Sequence, residues 1–367
     1  MRLILTGGGT GGHIYPALAV ADECIRRDPS CQLLYIGSET GLEKQIVQGK
    51  NIPFYAIDIS GFRRSLSWQN VRTLLRFIKG VGKVRRLIRE FKPDVVVGTG
   101  GYVAGPVVYA AARQGVPCLI HEQNALPGLA NRFLSRYADA VAVSFREAEN
   151  HFPRARRVIY TGNPCATAVV HADAKRGLAS LGIADNMPLV VIFGGSRGAL
   201  ALNEAMVDMM RFIPQLTNVH FLFVTGNTYF ERTSARIKEK GNIPANVSIV
   251  PYLNNMPEVL AAAKLTVCRA GASSLAEITA LGLPSILVPS PNVTGNHQEA
   301  NARALKERGA SIMILERELT GERLFEAIRS IVTDPIRHEY MSRRAAELGC
   351  PDAAQRVYEE ILRLTRR

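Results

Sequence analysis

The chain has 367 residues, of which 47% are hydrophobic and 21% charged, a balance that excludes a disordered or fibrous polypeptide and predicts two domains at roughly 100 to 200 residues each. Lys and Arg number 45 against 32 Asp and Glu, a net charge of +13, so an anionic partner is expected: nucleic acid, a membrane surface or a phosphorylated ligand.

Leu3–Leu5 reads as a buried strand that runs into Thr6-Gly-Gly-Gly-Thr-Gly-Gly-His13 and then a helix that Pro16 helps to start. Glycines permit positive φ and bring backbone N–H groups close to an anion at a helix N-terminus, so this loop is a candidate phosphate cradle. His13 is its candidate general base, because imidazole ordinarily titrates near neutral pH. Gly7, Gly9 and Gly12 also satisfy GxGxxG, which keeps an NAD(P)-dependent oxidoreductase open as the alternative. Such a site wants an acid about 20 residues further on for the ribose, and Glu39, past the strand Leu33–Ile36, stands late for that role.

Residues 62 to 92 hold ten basic residues, Arg63 and Arg64 among them, against Glu90 alone, a net of +9 that leaves +4 for the rest of the chain. From Val71 to Phe91 the spacing is helical, and Arg72, Arg76, Lys79, Lys83 and Arg86 form one basic stripe. Leu74, Leu75, Phe77, Ile78, Val81, Val84 and Ile88 cover an arc wider than one packed face requires. A basic face beside surplus apolar surface predicts adsorption to an anionic leaflet through Arg72, Leu75, Arg76, Ile78, Lys79 and Lys83. Nucleic acid is disfavoured: only 7% of residues are aromatic and no recognition motif is present.

The strand Val95–Val97 leads into a second glycine-rich loop, Gly98-Thr-Gly-Gly-Tyr-Val-Ala-Gly105. Cys118–Ile120 leads into His121-Glu-Gln-Asn124, polar residues at a strand's carboxyl end, where doubly wound sheets bind ligands. Ala140–Val143 follows, and the turn Thr161-Gly-Asn-Pro164 marks a boundary. A second series then begins. Leu189–Phe193 precedes a third loop, Gly194-Gly-Ser-Arg-Gly-Ala199, and the strands Phe221–Val224 and Val247–Val250 come next. Leu265–Cys268 leads into Arg269-Ala-Gly-Ala-Ser-Ser-Leu-Ala-Glu277, where small residues and hydroxyls opening a helix suit a phosphate and Glu277 can accept two hydrogen bonds from vicinal ribose hydroxyls. Ile286–Val288 precedes Asn296-His-Gln-Glu-Ala-Asn301, whose amides can meet sugar hydroxyls or cap a helix, and Ile312–Ile314 closes the series. Two sets of alternating strands and helices predict two doubly wound α/β domains with a cleft between them.

The chain lacks an Asp-x-Asp pair and a P-loop ending in Gly-Lys-Ser/Thr, so neither a bound metal nor a cofactor is expected. Six scattered cysteines without a CxxC pair predict reduced thiols. Three apolar residues after Met1-Arg2 are too few for a signal peptide, and glycines interrupt the long uncharged run Val95–Ala112. A cytoplasmic protein without a transmembrane helix is the expectation.

These motifs, in this order and across nearly the whole chain, resemble the MurG family of glycosyltransferases. The resemblance rests on the His13 loop, Gly100–Gly105, His121–Asn124, Gly162–Pro164, Gly194–Ala199, Arg269–Glu277 and His297-Gln298. It implies a GT-B fold of two Rossmann-like domains and an inverting, metal-independent hexosyl transfer. The sugar moves from UDP-N-acetylglucosamine to the C4 hydroxyl of undecaprenyl-diphosphoryl-N-acetylmuramoyl-pentapeptide, converting lipid I to lipid II in peptidoglycan synthesis at the cytoplasmic face of the inner membrane. It further implies an acceptor and membrane-facing domain at 1–162, joined by a C-terminal helix at 350–367, and a donor domain at 163–349. By motif match, donor contacts fall on Thr10, Gly11, Gly12, Asn124, Ser196, Leu253, Arg269, Ala272, Ser273, Ser274, Leu275, Ala276, Glu277 and Gln298. Within that set Leu253 would meet uracil, Glu277 the ribose and Gln298 the sugar hydroxyls. His13 and Tyr102 fall on the acceptor side, with His13 favoured as base and Glu122 or a substrate-assisted route as the alternatives. Where many relatives carry an arginine after Gly-Asn-Pro this chain has Cys165-Ala166, which leaves either Arg197 as a substitute basic residue or a lower affinity for the diphosphate.

Overall fold

Short runs of branched apolar residues, each closed by glycine or a polar residue, form the strands of two parallel sheets. The computed structural model describes residues 1–61, 68–184, 186–195, 198–241 and 243–366. It divides into two compact units, Met1–Cys165 with Asp352–Arg367, and Ala166–Pro351.

In the first unit the strands are β1 (Arg2–Thr6), β2 (Gln32–Ser38), β3 (Phe54–Ile57), β4 (Val95–Gly98), β5 (Cys118–Glu122), β6 (Ala140–Val143) and β7 (Val158–Tyr160). They lie in the order β3-β2-β1-β4-β5-β6-β7, and every neighbouring pair is parallel. Parallel strands need crossover helices, and those helices cover both faces of the sheet. Side chains alternate accordingly: Leu3, Leu5, Val95 and Val97 join one core with the helix Gly11–Arg27, while Ile4 and Val96 join another with the helices Trp68–Phe91 and Ala104–Ala112.

The C-terminal helix Ala353–Thr365 belongs to this first unit. Its Val357, Tyr358, Ile361 and Leu364 complete the core begun by Leu3, Ile14 and Ala17. An ion pair between Arg157 and the buried Glu360, at 2.6 Å, ties it beside β7.

The second unit repeats the plan with β8 (Leu189–Phe193), β9 (His220–Val224), β10 (Val247–Val250), β11 (Ala263–Cys268), β12 (Ser285–Leu287) and β13 (Ser311–Met313), ordered β10-β9-β8-β11-β12-β13 and parallel throughout. In both sheets the strand order reverses beside the first strand, between β1 and β4 and between β8 and β11. A crevice opens at such a reversal, because the crossovers on either side depart to opposite faces. The glycine loops therefore stand at the two switch points.

The sequence did not disclose β3 and β7. Both are edge strands, short and half-buried. None of the six cysteines is in a disulfide. Among the described residues, no helix is long and apolar enough to cross a membrane.

Candidate functional site

In the first unit the loop after β1 is folded tightly against the loop after β4. An added Cβ would lie 2.0 Å from Thr99 Oγ1 at Gly7 and 2.2 Å from Gly8 O at Gly101, where φ is +79°, so only glycine fits either place. Thr99 Oγ1 donates to His13 O at 2.6 Å, and Tyr35 donates its hydroxyl to Gly7 O at 2.6 Å. These bonds fix the start of the helix Gly11–Arg27, whose first-turn N–H groups have no intrahelical acceptor and face anions favourably. Thr10 and Gly12 are exposed there and Gly11 is half-buried.

The half-buried His13 sits in the first turn with Nδ1 3.0 Å from Gly8 O. A carbonyl can only accept, so Nδ1 carries the proton and the lone pair is on Nε2, the nitrogen on the Gly100 side of the ring. The hydroxyl of Thr10 lies 3.4 Å from the same Nδ1. The Gly8 N–H donates to Gly100 O at 3.3 Å and the Gly9 N–H to Glu43 Oε2 at 3.3 Å. Two of the loop's amides are thus held by the protein itself. This counts against the dinucleotide reading of GxGxxG, as does Glu39, which is exposed. The half-buried Tyr102 lies over Gly9, with its hydroxyl 3.5 Å from Ser38 Oγ.

The carboxyl end of β5 corrects one expectation. Glu122 is buried, and its oxygens accept from Asn124 N (2.9 Å), Asn124 Nδ2 (3.2 Å), Gly128 N (3.1 Å) and Asn131 Nδ2 (2.9 Å). A carboxylate with four donors shapes its own loop and is poorly placed to receive a substrate proton, which removes it from the candidate bases. His121 is fully buried; burial pushes its imidazole below the usual histidine range, so it is neutral. Its Nε2–H donates to Gly162 O at 3.0 Å while Nδ1 accepts from Gln123.

Next to this segment, Leu126, Leu129 and Phe133 are exposed, Leu129 by 76%. On the basic helix, Phe77, Val81, Val84 and Ile88 turn inward, whereas Leu74, Leu75 and Ile78 are exposed by 50 to 59% beside the exposed Arg72, Arg76, Lys79 and Lys83. The surplus apolar arc is therefore unburied in this chain. An aromatic run links the two apolar segments: Phe77 lies 6.1 Å from Tyr109, and Tyr109 6.3 Å from Phe133. Arg63 and Arg64 lie outside the described residues.

In the second unit the loop after β8 needs glycine at Gly198, where φ is +76° and a Cβ would lie 2.1 Å from Thr225 O. Ser196 and Arg197 lie outside the described residues. After β11, the helix Ala272–Ala280 starts from Gly271. Among the described residues the buried Ser273 hydroxyl has no hydrogen-bond partner, and Ser274, Ala276 and Glu277 are half-buried while Ala272 and Leu275 pack inward. Burial pushes the Glu277 carboxyl up to about 7. Gln298 accepts from Ser290 N at 2.9 Å, and Leu253 is half-buried in the loop after β10.

Arg269 departs from its expected role. Its guanidinium pairs with Glu316 and donates to Val288 O at 3.1 Å, which ties the loop after β11 to its neighbours. The buried Asn301 donates to Ala270 O at 3.2 Å, so one amide of the Asn296–Asn301 segment holds the loop itself.

Comparison with known proteins agrees with this arrangement. The model of the glycosyltransferase family 28 N-terminal domain matches residues 3–143, and that of the family's C-terminal domain matches residues 189–357. The chain is 51% identical over 358 residues to a UDP-N-acetylglucosamine--N-acetylmuramyl-(pentapeptide) pyrophosphoryl-undecaprenol N-acetylglucosamine transferase of Bacillus subtilis, covering 98% of each chain. It is 50% identical over 365 residues to the protein of the same description in Bacillus pumilus, covering 100% of each. Among solved structures, MurG of Acinetobacter baumannii is similar with a TM-score of 0.79 at 31% identity, covering 99% of each chain. UDP-GlcNAc 2-epimerase of Neisseria meningitidis has a TM-score of 0.69 at 15% identity, covering 99% of this chain and 100% of that one, a likeness of fold alone.

Proposed function

The chain belongs to glycosyltransferase family 28, and from that premise we propose that it is a UDP-N-acetylglucosamine-dependent hexosyltransferase of peptidoglycan synthesis. It moves N-acetylglucosamine onto N-acetylmuramyl-(pentapeptide) pyrophosphoryl-undecaprenol, lipid I, to give lipid II, the reaction its relatives are named for. No relative or geometry supports the oxidoreductase alternative. The observation that carries the reading is the half-site after β11: a helix start with a buried hydroxyl at Ser273 that has no partner among the described residues and, in the same helix, a carboxyl raised by burial at Glu277. Together they suit a ribose bearing a diphosphate.

We assign the donor to the second unit. First-turn N–H groups at Ala272–Ser274 and the Ser273 hydroxyl take diphosphate oxygens, Glu277 takes the ribose hydroxyls, the Leu253 segment meets uracil, and the Gln298 side chain reaches the sugar. The acceptor falls to the first unit, with Tyr102 and His13 near its reacting hydroxyl, while Thr10, Gly11, Gly12 and Asn124 of that unit are kept as donor contacts. The reaction is a single displacement. The C4 oxygen of the acceptor attacks C1 of the sugar, the bond from C1 to the β-phosphate oxygen breaks, and its electron pair leaves with UDP, inverting C1. His13 Nε2 takes the C4 proton as the new bond forms. Negative charge growing on UDP is met by helix termini and hydroxyls.

The basic helix and the Leu126–Phe133 segment form the face that adsorbs to an anionic leaflet. Lys and Arg contribute about 1 kcal/mol each near such a surface, and the exposed leucines and isoleucine insert among the headgroups. The enzyme is then a peripheral protein that works where its lipid acceptor lies.

Incubation with UDP-N-acetylglucosamine and a lipid I analogue in EDTA should release UDP, and His13→Ala should lower turnover about 10² to 10⁴-fold while retaining UDP binding. Failure to release UDP would overturn the metal-free transfer, and full activity of His13→Ala would remove the base.

A further inference from the structure

Glu43 follows β2 in the helix Glu43–Gln48 and is fully buried. Three neutral donors reach its carboxylate: Ser38 N at 2.9 Å and Ser38 Oγ at 2.6 Å on Oε1, and Gly9 N at 3.3 Å on Oε2. The tight fit extends around it, since an added Cβ would lie 2.5 Å from its Oε1 at Gly8, 2.7 Å from its Cγ at Gly37 and 2.1 Å from its Oε2 at Gly41. Burying a carboxylate among neutral groups is costly unless its hydrogen bonds are good. Packing alone gives no reason for a charge there.

Its partner supplies one. The Gly9 N–H and the Gly8 carbonyl belong to a single peptide group. That carbonyl accepts from His13 Nδ1 at 3.0 Å while its N–H donates to Glu43 at 3.3 Å. A carboxylate pulling on an amide N–H shifts amide electron density onto the carbonyl oxygen, which then accepts more strongly from the imidazole. In enzymes with a His and a carboxylate in direct contact, the carboxylate fixes the tautomer and stabilises the imidazolium. Here a planar, rigid amide stands between the two.

We propose that Glu43 is a positioning residue for His13, acting through the Gly8–Gly9 peptide: it keeps the proton on Nδ1, presents Nε2 as the base and stabilises the imidazolium formed during transfer. Ser38 orients the carboxylate, and its hydroxyl, already donating to Glu43, accepts at long range from Tyr102. The same network thus reaches both side chains assigned to the acceptor hydroxyl. The proposal rests on His13 being the base.

The test compares the full-length parent with Glu43→Gln, Glu43→Asp, Ser38→Ala and His13→Ala. Glu43→Gln is expected to lower kcat about tenfold with donor KM within twofold, and to move the acid limb of the kcat/KM pH profile downward by about half a unit, since losing the carboxylate makes the imidazole less basic. Nitrogen NMR of labelled histidine should show the Nδ1–H tautomer in the parent and a smaller share of it in Glu43→Gln. Glu43→Asp, which keeps the charge one methylene further from Gly9, should fall between, and it carries the test should the glutamine variant not fold. Ser38→Ala, which loosens the carboxylate without removing it, should move the acid limb less than Glu43→Gln does. A purely structural Glu43 would instead lower activity in step with melting temperature at an unchanged acid limb and tautomer, and that result overturns the relay. Full turnover by His13→Ala would overturn the underlying base assignment, a separate outcome.

Discussion

Glu43 and His13 grip opposite ends of one peptide bond, the first at the Gly9 N–H and the second at the Gly8 carbonyl. That carbonyl has a second close neighbour in Gly101, whose absent side chain leaves it room. Gly101→Ala would put a methyl 2.2 Å from Gly8 O at a residue with φ of +79°. Displacement of the peptide should lower turnover at least about tenfold and the melting temperature by several degrees. Calorimetry and a UDP-release assay check both, and parent-like values in each would show that the loop adapts.

Donor affinity should depend on pH through Glu277. Its carboxyl is raised from the ordinary 4.5 to about 7 by burial, and only the ionised form accepts fully from two ribose hydroxyls. UDP should therefore bind about tenfold more tightly at pH 8 than at pH 6, and Glu277→Gln should flatten that dependence. Calorimetric titration at the two pH values decides it.

The same residue has the opposite effect on stability. Because its folded value lies above its unfolded one, the native state holds more protons between about 4.5 and 7. Stability from this group is full below that window and lost as pH rises through it, a difference on the order of 1 to 3 kcal/mol. Denaturant melts of the parent across this range should show the decline, and those of Glu277→Gln should not.

Arg269 is expected to matter for the second unit's integrity more than for direct donor contact. Its ion pair with Glu316 is largely screened from water, with the side chains 13% and 23% exposed. Arg269→Ala and Glu316→Ala should each destabilise the protein by about 1 to 3 kcal/mol, and the double variant by less than their sum. Additive losses, or a donor KM defect in Arg269→Ala absent from Glu316→Ala, would restore it to the donor contacts.

Membrane adsorption should divide cleanly from catalysis. Changing Arg72, Lys79 and Lys83 to Gln removes three exposed charges, and at about 1 kcal/mol each the affinity for anionic vesicles should fall on the order of a hundredfold. Leu129→Ser should weaken it further without added salt dependence. Sedimentation with vesicles measures both, and turnover of a water-soluble acceptor should stay at the parent level. Equal sedimentation of parent and variants would reject the face.

The central strands and the three glycine loops were legible because both signals are local: a run of branched apolar residues, and glycines bunched at its end. The edge strands β3 and β7 were not, although Phe54–Ile57 and Val158–Tyr160 are apolar throughout: neither run is closed by a glycine-rich loop that would single it out. Glu122 was misread for another reason. A polar residue at a strand's carboxyl end is equally placed to meet a ligand or to hold its own loop, and only the positions of Asn124, Gly128 and Asn131 decide between them. Glu43 was overlooked in favour of Glu39, four residues earlier. Nothing in the sequence marks which acid after β2 turns inward: Gly37 and Gly41 flank Glu39, yet in space both lie against the side chain of Glu43. Among the exposed apolar residues, Leu75 and Ile78 announced themselves through helical spacing, but Leu126, Leu129 and Phe133 sit where no long periodicity exists to be broken.

The C-terminal helix has a consequence for how the protein is made. Residues 353 to 364 complete a core whose other members begin at Leu3, so more than three hundred residues must leave the ribosome before the first unit can close. The second unit, continuous from Ala166 to Pro351, has its whole sequence available earlier. The half begun first therefore stands open longest, its helix Gly11–Arg27 without that cover until residues 353 to 364 have emerged.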